Sequence, residues 1–179
     1  MPFLLIISAW IKFDSPGPIF FRQERVGRFG VPFKIHKFRT MFVNTESLGL
    51  LTVGNDTRIT RSGLFLRRSK IDEFPQLFDV LRGRMSLVGP RPEVSEFLNY
   101  YPSDVRQKIL SIRPGITDKA SIEMVDENFI LSNYDDPQKA YIDIILPIKQ
   151  SYYLDYLESQ NFLYDIKLIV LTFKKIVSR

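Results

Sequence analysis

The sequence predicts an α+β fold dominated by helices, with one small β-hairpin and amphipathic segments at its ends. Three observations carry that prediction. The stretch PIFFRQERVGRFGVPFKIHKFRTM reads as two β-rich runs joined at residues 27–30, a hairpin pattern. Capping residues and apolar spacing mark several helices between Ser69 and Glu158. The closing FLYDIKLIVLTFKKIVSR places Ile166, Ile169, Val170, Phe173, Ile176 and Val177 on one helical stripe.

The elements follow in chain order. Residues 3–11 are nearly all apolar, but at about 1.5 Å per residue they cannot cross a hydrocarbon core of roughly 30 Å. A secretory signal puts basic residues before its apolar run. Here Trp10 and Lys12 come late in it or after it, as at a membrane–water boundary. A buried N-terminal helix or strand would read the same way. After the hairpin, whose second run ends with Lys37 and Arg39, LTVGNDTRITRSG is rich in turn residues and reads as loop. Ser69 then offers a Ser-x-x-Asp capping signal ahead of Phe74, Leu77, Phe78 and Leu81. Pro75 is tolerated only near a helix start, so this helix is expected to begin close to Asp72 and Glu73. Ser103 opens SDVRQKILSI, which stops at Arg113-Pro114-Gly115, and DPQKAYIDIILPIKQSYYLDYLE predicts a helix interrupted around Pro147.

The C-terminal stripe has Lys167, Lys174, Lys175 and Arg179 off it. A basic amphipathic helix suits an anionic lipid surface, although core packing would also explain the apolar face. Two such ends on one basic chain favour interfacial membrane association, with residues 1–13 as the membrane-associated segment.

Composition narrows the chemistry. With 179 residues, 45% of them apolar, the chain has material for one domain with a real core. Lys and Arg number 25 against 20 acidic residues, a net charge of +5, which favours nucleic acid, a membrane surface or a phosphorylated substrate. The lysines and arginines do not concentrate in one helix or tail and no nucleic-acid motif is present, so nucleic acid is not the expected partner. Cysteine is absent, which removes disulfides, thiol nucleophiles and Cys-based zinc sites. His36 is the single histidine. Carboxylates, lysines and hydroxyls are left to do the chemistry.

They gather in RRSKIDEFPQLFDVLRGRMSLVGPRPE. A carboxylate at a helix N-terminus sits in the positive end of the dipole, which predicts an ionised Asp72. Ionised Asp can attack phosphorus and form an acyl-phosphate. Glu73 could hold Mg²⁺, a hard ion that takes one or two carboxylates plus phosphate oxygens. Neighbouring helical residues point about 100° apart, so both can address one phosphate only at an irregular start, for which Pro75 supplies a cause. Arg91 is fixed between Pro90 and Pro92, which preorganises a guanidinium for bidentate phosphate binding. Each feature alone also reads as ordinary capping or a stiff turn; their combination within one short segment points to a site.

The chain resembles the bacterial sugar transferases, the monotopic polyprenyl-phosphate phosphoglycosyl transferases. The resemblance rests on DSPGPIFFRQERVGRFGVPFKIHKFRTM, RRSKIDEFPQLFDVLRGRMSLVGPRP, IRPGIT and YYLDYLESQNFLYDIKLIVLTFKKI, in that order along nearly the whole chain. It implies transfer of a sugar 1-phosphate from a UDP-sugar to polyprenyl phosphate, normally undecaprenyl phosphate, with release of UMP. It further implies Mg²⁺ dependence, a re-entrant membrane helix, and work on the cytoplasmic face of the bacterial inner membrane, where such enzymes prime glycan synthesis. On this resemblance Asp72 is the nucleophile and Glu73 a metal ligand, joined by Asp72 as a second candidate ligand. Arg67 and Arg91 take the place of the family's phosphate-binding arginines, and Lys37, Arg39 and Arg113 complete the expected substrate-binding cations. Residues 14–179 would then form the cytosolic catalytic domain. Three departures stand out. Arg84 replaces the usual Asp of GDMS, DKASIEMVDENF follows RPGIT in place of GWAQVNGR, and Met1-Pro2 falls where the re-entrant helix would break. Arg84 and the N-terminus keep a catalytically silent membrane scaffold of the same fold as the alternative, with a basic nucleic-acid-binding protein behind it, and the segment after RPGIT bears on the sugar or the subfamily. The sugar, the pathway and the oligomeric state, a homo-oligomer included, are left open.

Overall fold

The computed structural model describes residues 2–45, 49–124 and 126–178, and the side chains from residue 4 onward within these. Met1 and Arg179, both used in the sequence reading, lie outside the described residues. Helices dominate, accompanied by a two-stranded antiparallel sheet and a short parallel pair.

Helix α1, Pro2–Asp14, is apolar on all sides and uses only one of them for packing. Ile7 and Ile11 are buried against Phe38 and Leu66, while Leu5, Ile6 and Phe13 face outward. Its C-terminal carbonyls are gathered by Arg39, which donates to the backbone oxygens of Ser15 (2.7 Å), Pro16 (2.6 Å) and Ile11 (3.3 Å). None of the described helices is long and apolar enough to cross a membrane.

The hairpin forms as expected: β1, Phe20–Val26, pairs antiparallel with β2, Pro32–Phe38, in a register that sets Phe21 opposite Lys37 and Arg25 opposite Phe33. Phe29 and Gly30 take positive φ in the connection. Phe33 and Ile35 of β2 pack on Met85. Lys37 continues their row on the strand, since side chains two apart share a face.

The stretch read as loop instead ends in a helix. Thr60 accepts a hydrogen bond from the Gly63 amide and starts α2, Arg61–Arg68. Glycine inside a helix costs roughly 1 kcal/mol relative to alanine, and here close approach demands it: a Cβ on Gly63 would lie 2.0 Å from the Thr40 carbonyl oxygen. That contact docks α2 against the end of the hairpin.

Ser69 does not start the next helix. Its hydroxyl donates backward to the carbonyls of Phe65 (2.8 Å) and Leu66 (3.2 Å), ending α2. Lys70 then turns the chain with φ of 57°, and a 3-10 helix, Ile71–Gln76, leads into α3, Leu77–Leu81. Pro75 sits inside that tighter turn, so the irregular start expected of it is present.

Strands β3, Ser86–Val88, and β4, Gly115–Thr117, pair in parallel. Gly89, just after β3, and Gly115, the first residue of β4, let the two backbones approach closely: a Cβ on Gly115 would lie 2.2 Å from the Gly89 nitrogen. Between them run α4, Ser95–Leu98, and α5, Ser103–Ile109. After β4 come α6, Lys119–Glu123, α7, Glu127–Leu131, and α8, Pro137–Ala140. A π-helical turn, Tyr141–Ile145, precedes Pro147 near the start of α9, Leu146–Ser159. The wider turn absorbs the amide that proline cannot supply. The main core joins Phe97, Leu98, Leu131, Tyr141, Ile145 and Tyr153.

Helix α10, Phe162–Val177, is capped by Asn161. Its inward contact is Leu168, buried with Val88, Ile122 and Tyr156, and Thr172 bonds Thr117 across the gap at 2.6 Å. Much of the predicted stripe faces outward: Ile166, Val170, Phe173 and Val177 are exposed. Core packing accounts for Ile169 of the stripe but not for these four.

Candidate functional site

The hairpin, the 3-10 helix and the Pro90-Arg91-Pro92 turn converge on one buried ionic cluster. Glu73 accepts from Arg91 at both oxygens, Nη2 to Oε1 at 2.6 Å and Nη1 to Oε2 at 3.3 Å, and from Lys37 Nζ at 3.0 Å. The prolines fix Arg91 from both sides. The Pro90 carbonyl accepts from the Gly115 amide of β4, and the Pro92 carbonyl accepts from Arg25 of β1. Lys37 reaches the cluster because its row on β2 lies against the 3-10 helix.

Asp72 is equally buried, and its Oδ1 has no hydrogen-bond partner. Burial, reinforced by the neighbouring Glu73 charge, pushes its carboxyl above the ordinary range. The direction is opposite to the one a helix dipole would give: one 3-10 turn offers little dipole, and desolvation outweighs it. Glu73 goes the other way. Burial alone would raise it, but Arg91 and Lys37 hold it well below the usual carboxylate range. Burial brings Lys37 down to about 8, with the Glu73 charge opposing. The Arg91 guanidinium is held more firmly charged by Glu73.

Asp72 and Glu73 line a polar cavity of about 590 Å³, as do Lys37, Arg67 and Arg91. Arg67 holds its place by donating to Thr40 Oγ1 (2.9 Å) and Thr52 Oγ1 (3.0 Å). Two of the expected cations are elsewhere. Arg39 is committed to the carbonyls behind α1, and Arg113 is an exposed side chain that lines neither this cavity nor the apolar one beside it.

The structure also brings in residues that the sequence reading passed over. Phe21, Gln23 and Arg25, alternate positions of β1, line the cavity together, a period-2 signal available in the sequence. Arg58 organises the cavity's loop wall: it pairs with Asp56 and donates to the carbonyls of Gly49 (2.6 Å) and Leu51 (2.5 Å). Lys149, on α9, reaches Glu127 at 2.6 Å and Tyr141 at 3.3 Å, and the Tyr141 hydroxyl donates to Glu93. No spacing rule links these distant positions.

Among the described residues no three His, Cys, Asp or Glu side chains cluster as a complete metal cage. The pair still fits a hard divalent ion that takes its other ligands from water and phosphate. Asp72 Oδ1 is unpartnered, and Glu73 Oε2 holds only one long bond. A carboxyl with an unpartnered oxygen, a fixed guanidinium and a polar cavity together suit chemistry on a bound phosphoryl group.

Comparison with known proteins identifies the family. The family model described as bacterial sugar transferase matches residues 1–179. A UDP-glucose:undecaprenyl-phosphate glucose-1-phosphate transferase of Xanthomonas campestris pv. campestris is 36% identical over 99% of this chain and 35% of its own length. A putative undecaprenyl-phosphate N-acetylgalactosaminyl 1-phosphate transferase of Bacillus subtilis is 41% identical over 66% of this chain and 63% of its own. A UDP-N-acetylgalactosamine-undecaprenyl-phosphate N-acetylgalactosaminephosphotransferase of Aeromonas hydrophila is 41% identical over 68% and 29%. The chain thus spans between about a third and two thirds of these relatives. With the family model matched from end to end around this cluster, the chain belongs to the bacterial sugar transferase family.

Proposed function

We propose that the protein transfers a sugar 1-phosphate from a UDP-sugar to polyprenyl phosphate, releasing UMP, as a priming step of bacterial glycan synthesis. The observation that carries this reading is Asp72: a buried carboxylate with an unpartnered oxygen, facing a cationic cavity beside Arg91, Lys37 and Arg67. The relatives' names supply the donor and acceptor classes.

In the first step an Asp72 oxygen attacks the β-phosphorus of the donor. The bond from that phosphorus to the bridging oxygen breaks, and UMP leaves with the electron pair. The product is an acyl phosphate, a mixed anhydride joining the Asp72 carboxyl to the sugar phosphate. In the second step an oxygen of the polyprenyl phosphate attacks the same phosphorus and returns Asp72 as a carboxylate. Arg91 and Lys37, both near the reacting phosphate, stabilise the charge that develops on its oxygens. Arg67 holds the departing nucleotide's phosphate. Asp72 and Glu73 would hold Mg²⁺, which supplies charge neutralisation at the diphosphate. The exposed apolar side chains of α1 and α10 suit attachment to the cytoplasmic face of the bacterial inner membrane without crossing it, leaving residues 14–179 as the catalytic part.

Purified protein incubated with UDP-sugars alone tests the reading. We expect UMP in amounts matching the enzyme, with a sugar-phosphate mass added to the peptide containing Asp72, and neither from Asp72→Asn. UMP that appears only when both substrates are present would replace the covalent step with direct transfer. Failure with every UDP-sugar, even in the presence of acceptor, would leave a membrane scaffold of the same fold.

A further inference from the structure

Beside the polar cavity lies a second one of about 360 Å³, and the two share Lys70, Glu73, Arg91 and Ser121 in their walls. Their chemistry is opposite. The second is lined by Phe74 and Leu77 of the 3-10 helix and α3, Leu87 and Ile116 of the parallel pair, and Ile169 and Ile176 of α10. Lys175 joins Lys70 and Arg91 as its cations.

We infer that this apolar cavity seats the first isoprene units of the acceptor lipid, with its phosphate at the shared wall. The inference rests on the transferase reading above and adds a location to it. Three features select this occupant. The lining is mainly apolar, interrupted by Lys175 and the hydroxyls of Thr117 and Thr172, and it turns ionic where the cavity meets Glu73, Arg91 and Lys70, which is the polarity of a hydrocarbon chain ending in an anion. The volume falls in the range of about 300–1,000 Å³ usual for small-molecule sites, enough for the proximal part of a long chain but not its whole length. The elements that wall the cavity also carry exposed apolar side chains outside it, Phe78 and Leu81 on α3 and Val170 and Val177 on α10. The remainder of a long chain can follow that surface into a bilayer.

The arrangement has a chemical consequence. Donor and acceptor reach the cluster through different cavities, so UMP can leave through the polar one while the lipid phosphate is held at the seam. Glu73 and Arg91 touch both.

Leu87→Trp and Ile176→Trp fill the cavity from two walls without altering any residue assigned to the cluster. In nanodiscs, both should release UMP from donor alone at the wild-type rate, which also reports that they are folded. Their KM for undecaprenyl phosphate should rise about tenfold or more, since one displaced isoprene unit carries several buried carbons. Wild-type KM should fall from geranyl to geranylgeranyl phosphate, and that gain should vanish in the filled variants. Unchanged acceptor KM in both variants would overturn the inference and leave the transferase reading intact, whereas loss of UMP release in the wild type would strike that reading first. A diazirine-bearing polyprenyl phosphate, which needs no turnover, should label the peptides holding Leu87 and Ile176. Labelling confined to α1, or equal labelling by a diazirine phospholipid, would also overturn the inference.

Discussion

Arg91 grips both oxygens of Glu73 from a turn whose two flanking prolines are themselves pinned to different strands. Glu73 is buried and Arg91 half-buried, so removing the arginine costs most: it leaves the carboxylate uncompensated out of water. Arg91→Lys keeps the charge and loses the planar fork. It should lower kcat/KM by the worth of one charge-assisted hydrogen bond, about 1.5–3 kcal/mol, while leaving membrane attachment unchanged. Glu73→Gln should cost more in activity, because it strands Arg91 and Lys37 together. Steady-state UMP release and thermal melts, run side by side, separate lost chemistry from lost fold.

The pH dependence of donor-only UMP release should be bell-shaped. Asp72 must be ionised to attack, and burial beside Glu73 raises its pKa, so the acid limb should lie above the ordinary aspartate value of 3.8. Lys37 must be protonated to support Glu73 and the phosphate, and burial lowers it to about 8. Activity should therefore rise with pH as Asp72 loses its proton and fall as Lys37 loses its own. Lys37→Arg replaces the titrating group with one that stays charged and should remove the alkaline limb. A limb that persists in that variant would move its origin to another residue.

Where the chain's signals are periodic and local, the fold was legible. The hairpin alternates, Pro147 marks the interruption before α9, and Pro75 foretells the irregular turn that carries Asp72 and Glu73. Arg91 stood out because two prolines flank it. Helix α2 was hidden because RSGLFLRR carries a glycine and three arginines, and the reason for the glycine is a contact with Thr40 more than twenty residues away. Strands β3 and β4 are three residues each, too short for any period to show. Arg39 reads as a site residue because it directly follows the strand that carries Lys37. Its guanidinium turns toward the carbonyls of α1, which no local pattern reveals.

Arg58 makes a further prediction, about a wall rather than a reacting group. Its bond to Asp56 lowers the pKa of that carboxyl, so the pair stabilises the fold above the unfolded aspartate value and the contribution is lost as pH falls through the depressed folded value. Asp56→Asn should reduce unfolding free energy near neutral pH by about 1.5–3 kcal/mol. The deficit should shrink in acid, where the wild type loses the same pair. Because Arg58 also holds Gly49 and Leu51, and that loop supplies the Thr52 hydroxyl bonded to Arg67, the KM for the donor should rise more than kcat falls. Chemical denaturation across pH, together with donor saturation curves, checks both parts.

Helix α1 carries two apolar rows with different tasks, and substitutions can tell them apart. Ile7 and Ile11 are buried against Phe38 and Leu66, and Leu4 packs partly with them. Polar replacements there should unfold the N-terminal part, because each fully buried aliphatic side chain contributes about 1.5–3 kcal/mol. Leu5, Ile6 and Phe13 contribute little to that core, being 72%, 67% and 89% exposed. Replacing these three with Ser should leave the melting temperature nearly unchanged and shift protein from the membrane pellet to the soluble fraction. Donor-only UMP release should survive, since the ionic cluster does not involve α1, while transfer to undecaprenyl phosphate in vesicles should fall. If the triple variant stays with the membrane, α10 carries the attachment, and Phe173→Ser with Val177→Ser should then release it. If neither set releases the protein, the exposed apolar rows are not its membrane contact.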